Sequence, residues 1–240
     1  MSKKIVLDAG HGMNTPGKRC MKSIDANETR EWYLNQRIVS KVQEKLKNYD
    51  VEVLRVDDST GNADVTLTAR CSKANNFGAD LYCSFHHNAG INGGSGGGLS
   101  IITYDDSATA KTIRNTLYDC LINAGGIKGN RSNPKYADSS LYVLNGTKMH
   151  AVLAEHGFMD STVDTPIILT EEFAEKMANG WIAFFEQYLG IKKKAESTPV
   201  PEEQTEGKLY YVQVGAFKDK KNAEKLTAEL NVKGYSAIIK

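Results

Sequence analysis

The chain has 240 residues, 40% of them apolar and 25% charged, with a formal net charge of +1. That length buries one substantial core and leaves room for a small appendage. The near-neutral charge gives no reason to expect nucleic acid as a partner, and no apolar run reaches the length of a membrane span.

Cys20, Cys71, Cys83 and Cys120 are scattered and form no C-x-x-C pair, which argues for free thiols in a reducing compartment rather than a zinc knuckle or redox motif. Met1-Ser2-Lys3-Lys4 leads directly into an apolar stretch, so no signal peptide is expected and the chain should be cytoplasmic when made.

Ile5-Val6-Leu7-Asp8-Ala9-Gly10-His11-Gly12 reads as a β-branched strand that stops at a glycine-flanked histidine. Ligands of open α/β sheets sit beyond the carboxyl ends of strands, which makes His11 a site candidate. A polar loop leads to a helix over roughly 28–48, with Trp32, Asn35, Val39, Val42 and Leu46 at helical spacing. A strand over 51–56 and a shorter helix over 67–76 follow. The strand over 80–87 finishes in polar groups: Ser84, His86, His87 and Asn88.

Residues 90–98 are glycine-rich but lack the lysine of a phosphate-binding loop and precede a strand, 99–104, instead of a helix. They are expected to form a mobile loop beside a cleft. A helix over 108–124 closes at Gly125-Gly126, and 127–140 is a basic, polar connection carrying Arg131. Residues 141–144 and 151–155 read as strands, the second running into Glu155-His156-Gly157. The last helix, 171–189, places Phe173, Trp181, Phe184 and Phe185 in the core. Alternating strands and helices predict an α/β fold, a central, mostly parallel or mixed sheet flanked by helices on both faces. Residues 192–207 contain no large apolar side chain and two prolines, the composition of a linker. Beyond it, a strand (209–217), a helix (222–231) and a strand (235–239) predict a short β-α-β tail, too small to fold readily alone.

His11, His86 or His87, and Glu155 or His156 are thus offered by strand ends, and Glu28 and Glu31 by a helix start. Two imidazoles and a carboxylate are a ligand set of catalytic zinc, with a position left for water and a further carboxylate as general base. The plainer alternative is mutual hydrogen bonding at a sheet edge, since no compact H-E-x-x-H motif is present. Alternation sends His86 and His87 to opposite sides of their strand and puts Asn88 with His86, while Glu28, Glu31 and Asn35 share a helix stripe. Spacing does not choose within these pairs.

Four blocks in order, Val6-Leu7-Asp8-Ala9-Gly10-His11-Gly12, Glu31-x-x-x-Asn35, Ser84-x-His86-x-Asn88 and Leu153-Ala154-Glu155-His156-Gly157-Phe158, resemble the zinc-dependent N-acetylmuramoyl-L-alanine amidases over residues 1–191. Leu67-x-x-Arg70-x-x-x-Ala74-Asn75, and Asn130-Arg131 followed by Tyr142-Val143-Leu144, extend the likeness. The resemblance implies His11, Glu31 and His86 as zinc ligands and Glu155 as the catalytic glutamate. Glu28 is the rival of Glu31, whose spacing to Asn35 favours it. His87 and His156 become supporting hydrogen-bonders, and Asn88 and Arg131 substrate contacts. The tail, 208–240, resembles the first half of a SPOR domain, a peptidoglycan-glycan-binding module, through Leu209-Tyr210-Tyr211-Val212-Gln213-Val214-Gly215-Ala216-Phe217, Asn222-Ala223-Glu224 and Gly234-Tyr235. Pairing of two such halves makes self-association an expectation.

These resemblances imply a phage endolysin or bacterial autolysin with Zn²⁺ as cofactor and peptidoglycan glycan strands and stem peptides as partners. It would act on the wall after release from the cytoplasm. The alternatives are a non-catalytic peptidoglycan-binding protein and a zinc peptidase cutting another peptidoglycan bond.

Overall fold

The computed structural model describes residues 2–194 and 213–239. The chain divides into two units, Met1–Lys194 and Ala195–Lys240.

The first unit is built on a six-stranded sheet: β1 (Lys3–Ala9), β2 (Val51–Arg55), β3 (Leu81–Asn88), β4 (Ser100–Thr103), β5 (Lys135–Ala137) and β6 (His150–Phe158), in the order β2-β1-β3-β6-β4-β5. β2, β1, β3 and β6 run parallel, β4 is antiparallel to β6, and β5 is parallel to β4. The central strands are covered on both faces, which is why their sequences are nearly continuous apolar runs. On one face lie α1 (Glu31–Leu46), α3 (Ala108–Asn123) and α6 (Glu171–Phe184), with α1 and α3 both packed on α6. They bury Ile5, Leu7, Leu81, Cys83 and Phe85. The other face carries α2 (Leu67–Phe77) and α4 (Tyr142–Asn145), over Val6, Tyr82 and Leu153. This is the expected mixed sheet with helices on both sides.

The helix ends follow local chemistry. Thr66, Ser107 and Thr170 accept hydrogen bonds from backbone N–H groups of the first turns of α2, α3 and α6. Gly78 ends α2 in the left-handed conformation, φ +66°. Trp181 of α6 is fully buried against Phe85, with ring centroids 4.3 Å apart, and beside Phe184 and Phe185. The predicted last helix continues past α6 as a π-helical turn, Phe185–Leu189, closed by left-handed Gly190.

Several expectations are corrected. The helix expected from residue 28 begins at Glu31, because Glu28 has φ +48° and stands outside it. Residues 141–144, read as a strand, form the helical turn α4, which packs on α2. The connection 127–140 contains the short edge strand β5, and α5 (Asp164–Ile168) was not anticipated.

In the second unit, α7 (Lys220–Val232) covers the predicted helix, with Asp219 capping the N–H of Lys221. No strand forms over 213–217 or 235–239, so the described part of the tail is not β-α-β; unpaired segments there gain no ladder hydrogen bonds. Most of the predicted linker and the start of the predicted strand at 209 lie outside the described residues. Among the described residues no helix is long and apolar enough to cross a membrane.

Candidate active site

The carboxyl ends of β1, β3 and β6 and the start of α1 converge. His11 follows β1 in the left-handed region, φ +69°, a conformation that costs a non-glycine residue energy unless its surroundings enforce it. Arg70 does so, donating through Nη2 to the carbonyl of His11 at 2.8 Å and through Nη1 to that of Ala9 at 2.8 Å. Gly10 has its own reason to be glycine: a Cβ there would lie 2.1 Å from Cε1 of the His86 ring.

His11, Glu31 and His86 each offer a ligand atom, all within 4.8 Å of one another. Glu31 Oε1 lies 3.0 Å from His86 Nδ1 and 3.3 Å from His11 Nε2, and it accepts the backbone N–H of His87 at 3.3 Å. The two imidazole rings meet edge to face, 4.9 Å apart. Burial alone would raise the Glu31 pKa, but the adjacent imidazoles of His11 and His86 outweigh it and hold the carboxyl well below its usual range. His11 Nε2 and Glu31 Oε2 are buried with no hydrogen-bond partner among the described residues. A set of two imidazole nitrogens and a carboxylate with enclosed, unsatisfied lone pairs fits a divalent transition metal.

Glu155 sits directly across from His86 in the β3–β6 register. Its Oε2 is enclosed without a hydrogen-bond partner among the described residues. Burial pushes this carboxyl up to about 7, against the lowering influence of His86, Lys18 and Arg131 and with a further push from Glu31. That places it where a proton acceptor works near neutrality.

The rival Glu28 is elsewhere, 3.4 Å from Arg19 in a surface ion pair. His87 and His156 hydrogen-bond instead of joining the triad. Asn35 Nδ2 donates to the Gly10 carbonyl at 3.1 Å, so its Oδ1 accepts from His87 Nδ1 at 2.8 Å. Trp181 Nε1 donates to His156 Nε2 at 3.0 Å, leaving His156 Nδ1 to donate to the His86 carbonyl at 3.0 Å. Strict alternation therefore fails here: the register shifts between His86 and Asn88, and both His86 and His87 reach α1. Asn88 Oδ1 accepts the next backbone N–H, of Ala89, at 2.8 Å.

Arg131 lies over the Phe158 ring, 5.2 Å from its centroid. The glycine-rich loop is anchored, contrary to the expectation of mobility. Asp160 accepts from Gly90 and Asn92, Asp164 from Gly98, and Ser161 donates to Gly96. Lys18 escaped the sequence reading altogether; its Nζ is 3.8 Å from Glu31 Oε2, and nothing in its local pattern signals that position.

The sequence model of the N-acetylmuramoyl-L-alanine amidase family matches residues 5–186, and that of the SPOR domain matches residues 206–240. A sporulation-specific N-acetylmuramoyl-L-alanine amidase of Bacillus subtilis (strain 168) is 30% identical over 239 residues, spanning 98% of this chain and 84% of that protein. An endolysin of Bacillus phage SPP1 is 34% identical over 204 residues, 81% of this chain and 69% of its own length. Among solved structures, an N-acetylmuramoyl-L-alanine amidase from Clostridium difficile 630 shares the fold with a TM-score of 0.69 at 24% identity, covering 79% of this chain and 97% of its own.

Proposed function

The chain belongs to the N-acetylmuramoyl-L-alanine amidase family, and from that premise we propose that His11, Glu31 and His86 hold a zinc ion beside Glu155, the general base. The enzyme hydrolyses the amide bond between N-acetylmuramic acid and L-alanine in peptidoglycan. The observation that carries the site assignment is the convergence of His11, Glu31 and His86 ligand groups within 4.8 Å, with His11 Nε2 and Glu31 Oε2 buried and without a hydrogen-bond partner among the described residues.

When bound, the ion supplies Lewis acidity toward the scissile carbonyl and a water molecule. Glu155 accepts the proton of the attacking water and delivers it to the departing amine of L-alanine. Asn35, His87, His156 and Trp181 fix the backbone and rings that present the ligands. Asn88, with its amide nitrogen left over, and Arg131 contact the substrate. The wall is the place of action, in the setting of a bacterial autolysin or a phage endolysin; the relatives include a sporulation-specific amidase and a phage endolysin. The SPOR-like tail adds a second contact to the wall.

Two measurements check this reading. Digestion of purified peptidoglycan should release stem peptides beginning in L-alanine, identified by mass; chelation should abolish release and added Zn²⁺ restore it. Release that persists in the metal-free protein would remove the metal from the reaction, and fragments cut within the stem peptide would make this a peptidase. Gly10→Ala should lower zinc affinity by roughly 10–100-fold, as loss of an outer support typically does, because the added methyl drives into the His86 ring. Competition with a chromophoric chelator reads this, and unchanged affinity would exclude His86 as a ligand.

A further inference from the structure

Where Arg131 lies over Phe158 at the end of β6 is a pocket of about 310 Å³ lined by Ile91, Gly97, Asn130, Arg131, Ser132 and Asn133. Its lining contains one full positive charge, several amide and hydroxyl donors, and no carboxylate. Arg131 is the group that sets its character. The guanidinium lies over the Phe158 ring, three residues beyond Glu155 on the same strand end, and makes no ion pair or hydrogen bond among the described residues. Its donors are therefore available to a ligand, in the planar fork that matches a carboxylate.

The pocket is rigid where it needs to be. Asn130 Oδ1 accepts the N–H of Gly97 at 3.1 Å, which leaves its amide nitrogen as a further donor. Gly97, Gly98 and Gly129 bring two backbone segments into direct contact: a Cβ on Gly129 would lie 2.0 Å from the Gly97 carbonyl oxygen. Asp164 is fully buried behind this wall, and its carboxylate accepts from Gly98 at 2.7 Å and Phe158 at 3.0 Å. It offers no competition for Arg131.

We propose that the Arg131–Asn130 pocket is the subsite for a carboxylate of the stem peptide, the one carried by the glutamyl residue that follows L-alanine, and that it makes the enzyme prefer stems in which this group is free over stems in which it is amidated. The inference rests on the amidase reading above. Glu155 and Phe158 end the same strand, so a stem peptide that follows β6 away from the scissile bond would bring its first acidic group to the guanidinium over Phe158. Amidation replaces an ionic bidentate partner by a neutral one that presents donors to donors, which the pocket does not satisfy.

The test uses the full-length, zinc-loaded protein and two synthetic muramoyl peptides that differ only in this group, free acid or amide. The free acid should be cleaved with a kcat/KM about tenfold or more above that of the amide, the usual weight of one charge-assisted contact. In Arg131→Met, which keeps an apolar stem over Phe158, the ratio should collapse toward one through a rise in KM for the free acid. A variant that is merely misfolded lowers both rates and leaves the ratio intact, so the ratio reports recognition and not folding. A wild-type ratio near one, or a ratio retained in Arg131→Met, overturns the subsite. Cleavage of neither peptide by the wild-type protein overturns the amidase assignment itself, an outcome distinct from equal cleavage of both.

Discussion

Glu155→Gln is expected to lower turnover of the N-acetylmuramoyl-L-alanine bond by about 10²–10⁴-fold, the contribution typical of a positioned general base, while zinc content stays at the wild-type level. The substitution keeps shape and hydrogen-bonding capacity but removes the proton acceptor. Glu155 is not one of the converging ligand groups, so metal analysis separates its role from theirs: His86→Ala should lose both metal and activity, Glu155→Gln activity alone. The pH profile adds a signature. Burial holds the metal-free Glu155 carboxyl up at about 7, and a base must be ionised to act, so the rate rises with pH through its pKa. A bound cation favours the carboxylate and moves that limb to lower pH. The limb should be present in the wild-type profile and missing from that of Glu155→Gln. A variant within about tenfold of wild-type turnover would fall below the range for a general base and strip Glu155 of the role.

How far the sequence carries can be seen at individual residues. Strand ends are legible because apolar runs stop at polar groups, which offers His11, His86 or His87, and Glu155 or His156 at strand ends, with the family resemblance choosing His86 and Glu155 within the pairs. Glu28 shows the limit: its spacing fits the helix stripe, yet periodicity does not register the left-handed backbone that keeps it out of α1. The bulge beyond His86 is equally invisible, since alternation assumes an unbroken ladder. Residues 141–144 are a short apolar run of the kind that period analysis does not divide between strand and helix; packing of α4 on α2 decides it. The glycine-rich loop looked mobile because its anchors, Asp160, Ser161 and Asp164, come from a segment some seventy positions away in the chain. Lys18 and the donor-lined Arg131 pocket likewise exist only once loops distant in sequence are brought together.

The largest expected loss of stability is Arg70→Met. Arg70 is 1% exposed and donates to the carbonyls of Val65, Ala9 and His11 and to the carboxylates of Asp8 and Asp64. Asp8, also 1% exposed, otherwise has, among the described residues, only the hydroxyls of Tyr82 at 2.7 Å and Ser84 at 2.9 Å. Removing the guanidinium leaves a buried carboxylate without a counter-charge, which costs about 3–5 kcal/mol, and it releases the strained backbone at His11. Urea unfolding of the metal-free protein isolates the first effect from zinc linkage; the midpoint should fall with little change in slope. The decisive comparison is a second change at Asp8. Asp8→Asn alone weakens the pair and destabilises the wild type, whereas in the Arg70→Met background it removes the orphaned charge and should recover stability. Residues in contact couple by roughly 0.5–3 kcal/mol, and here the coupling must be large enough to reverse the sign of the Asp8→Asn effect. Simple additivity would mean that the ion pair is not what fixes Arg70 beneath His11. Zinc affinity should follow a different course: it falls in Arg70→Met and stays low in the double variant, because Asn at position 8 cures the charge but does not restore the hydrogen bond to the His11 carbonyl.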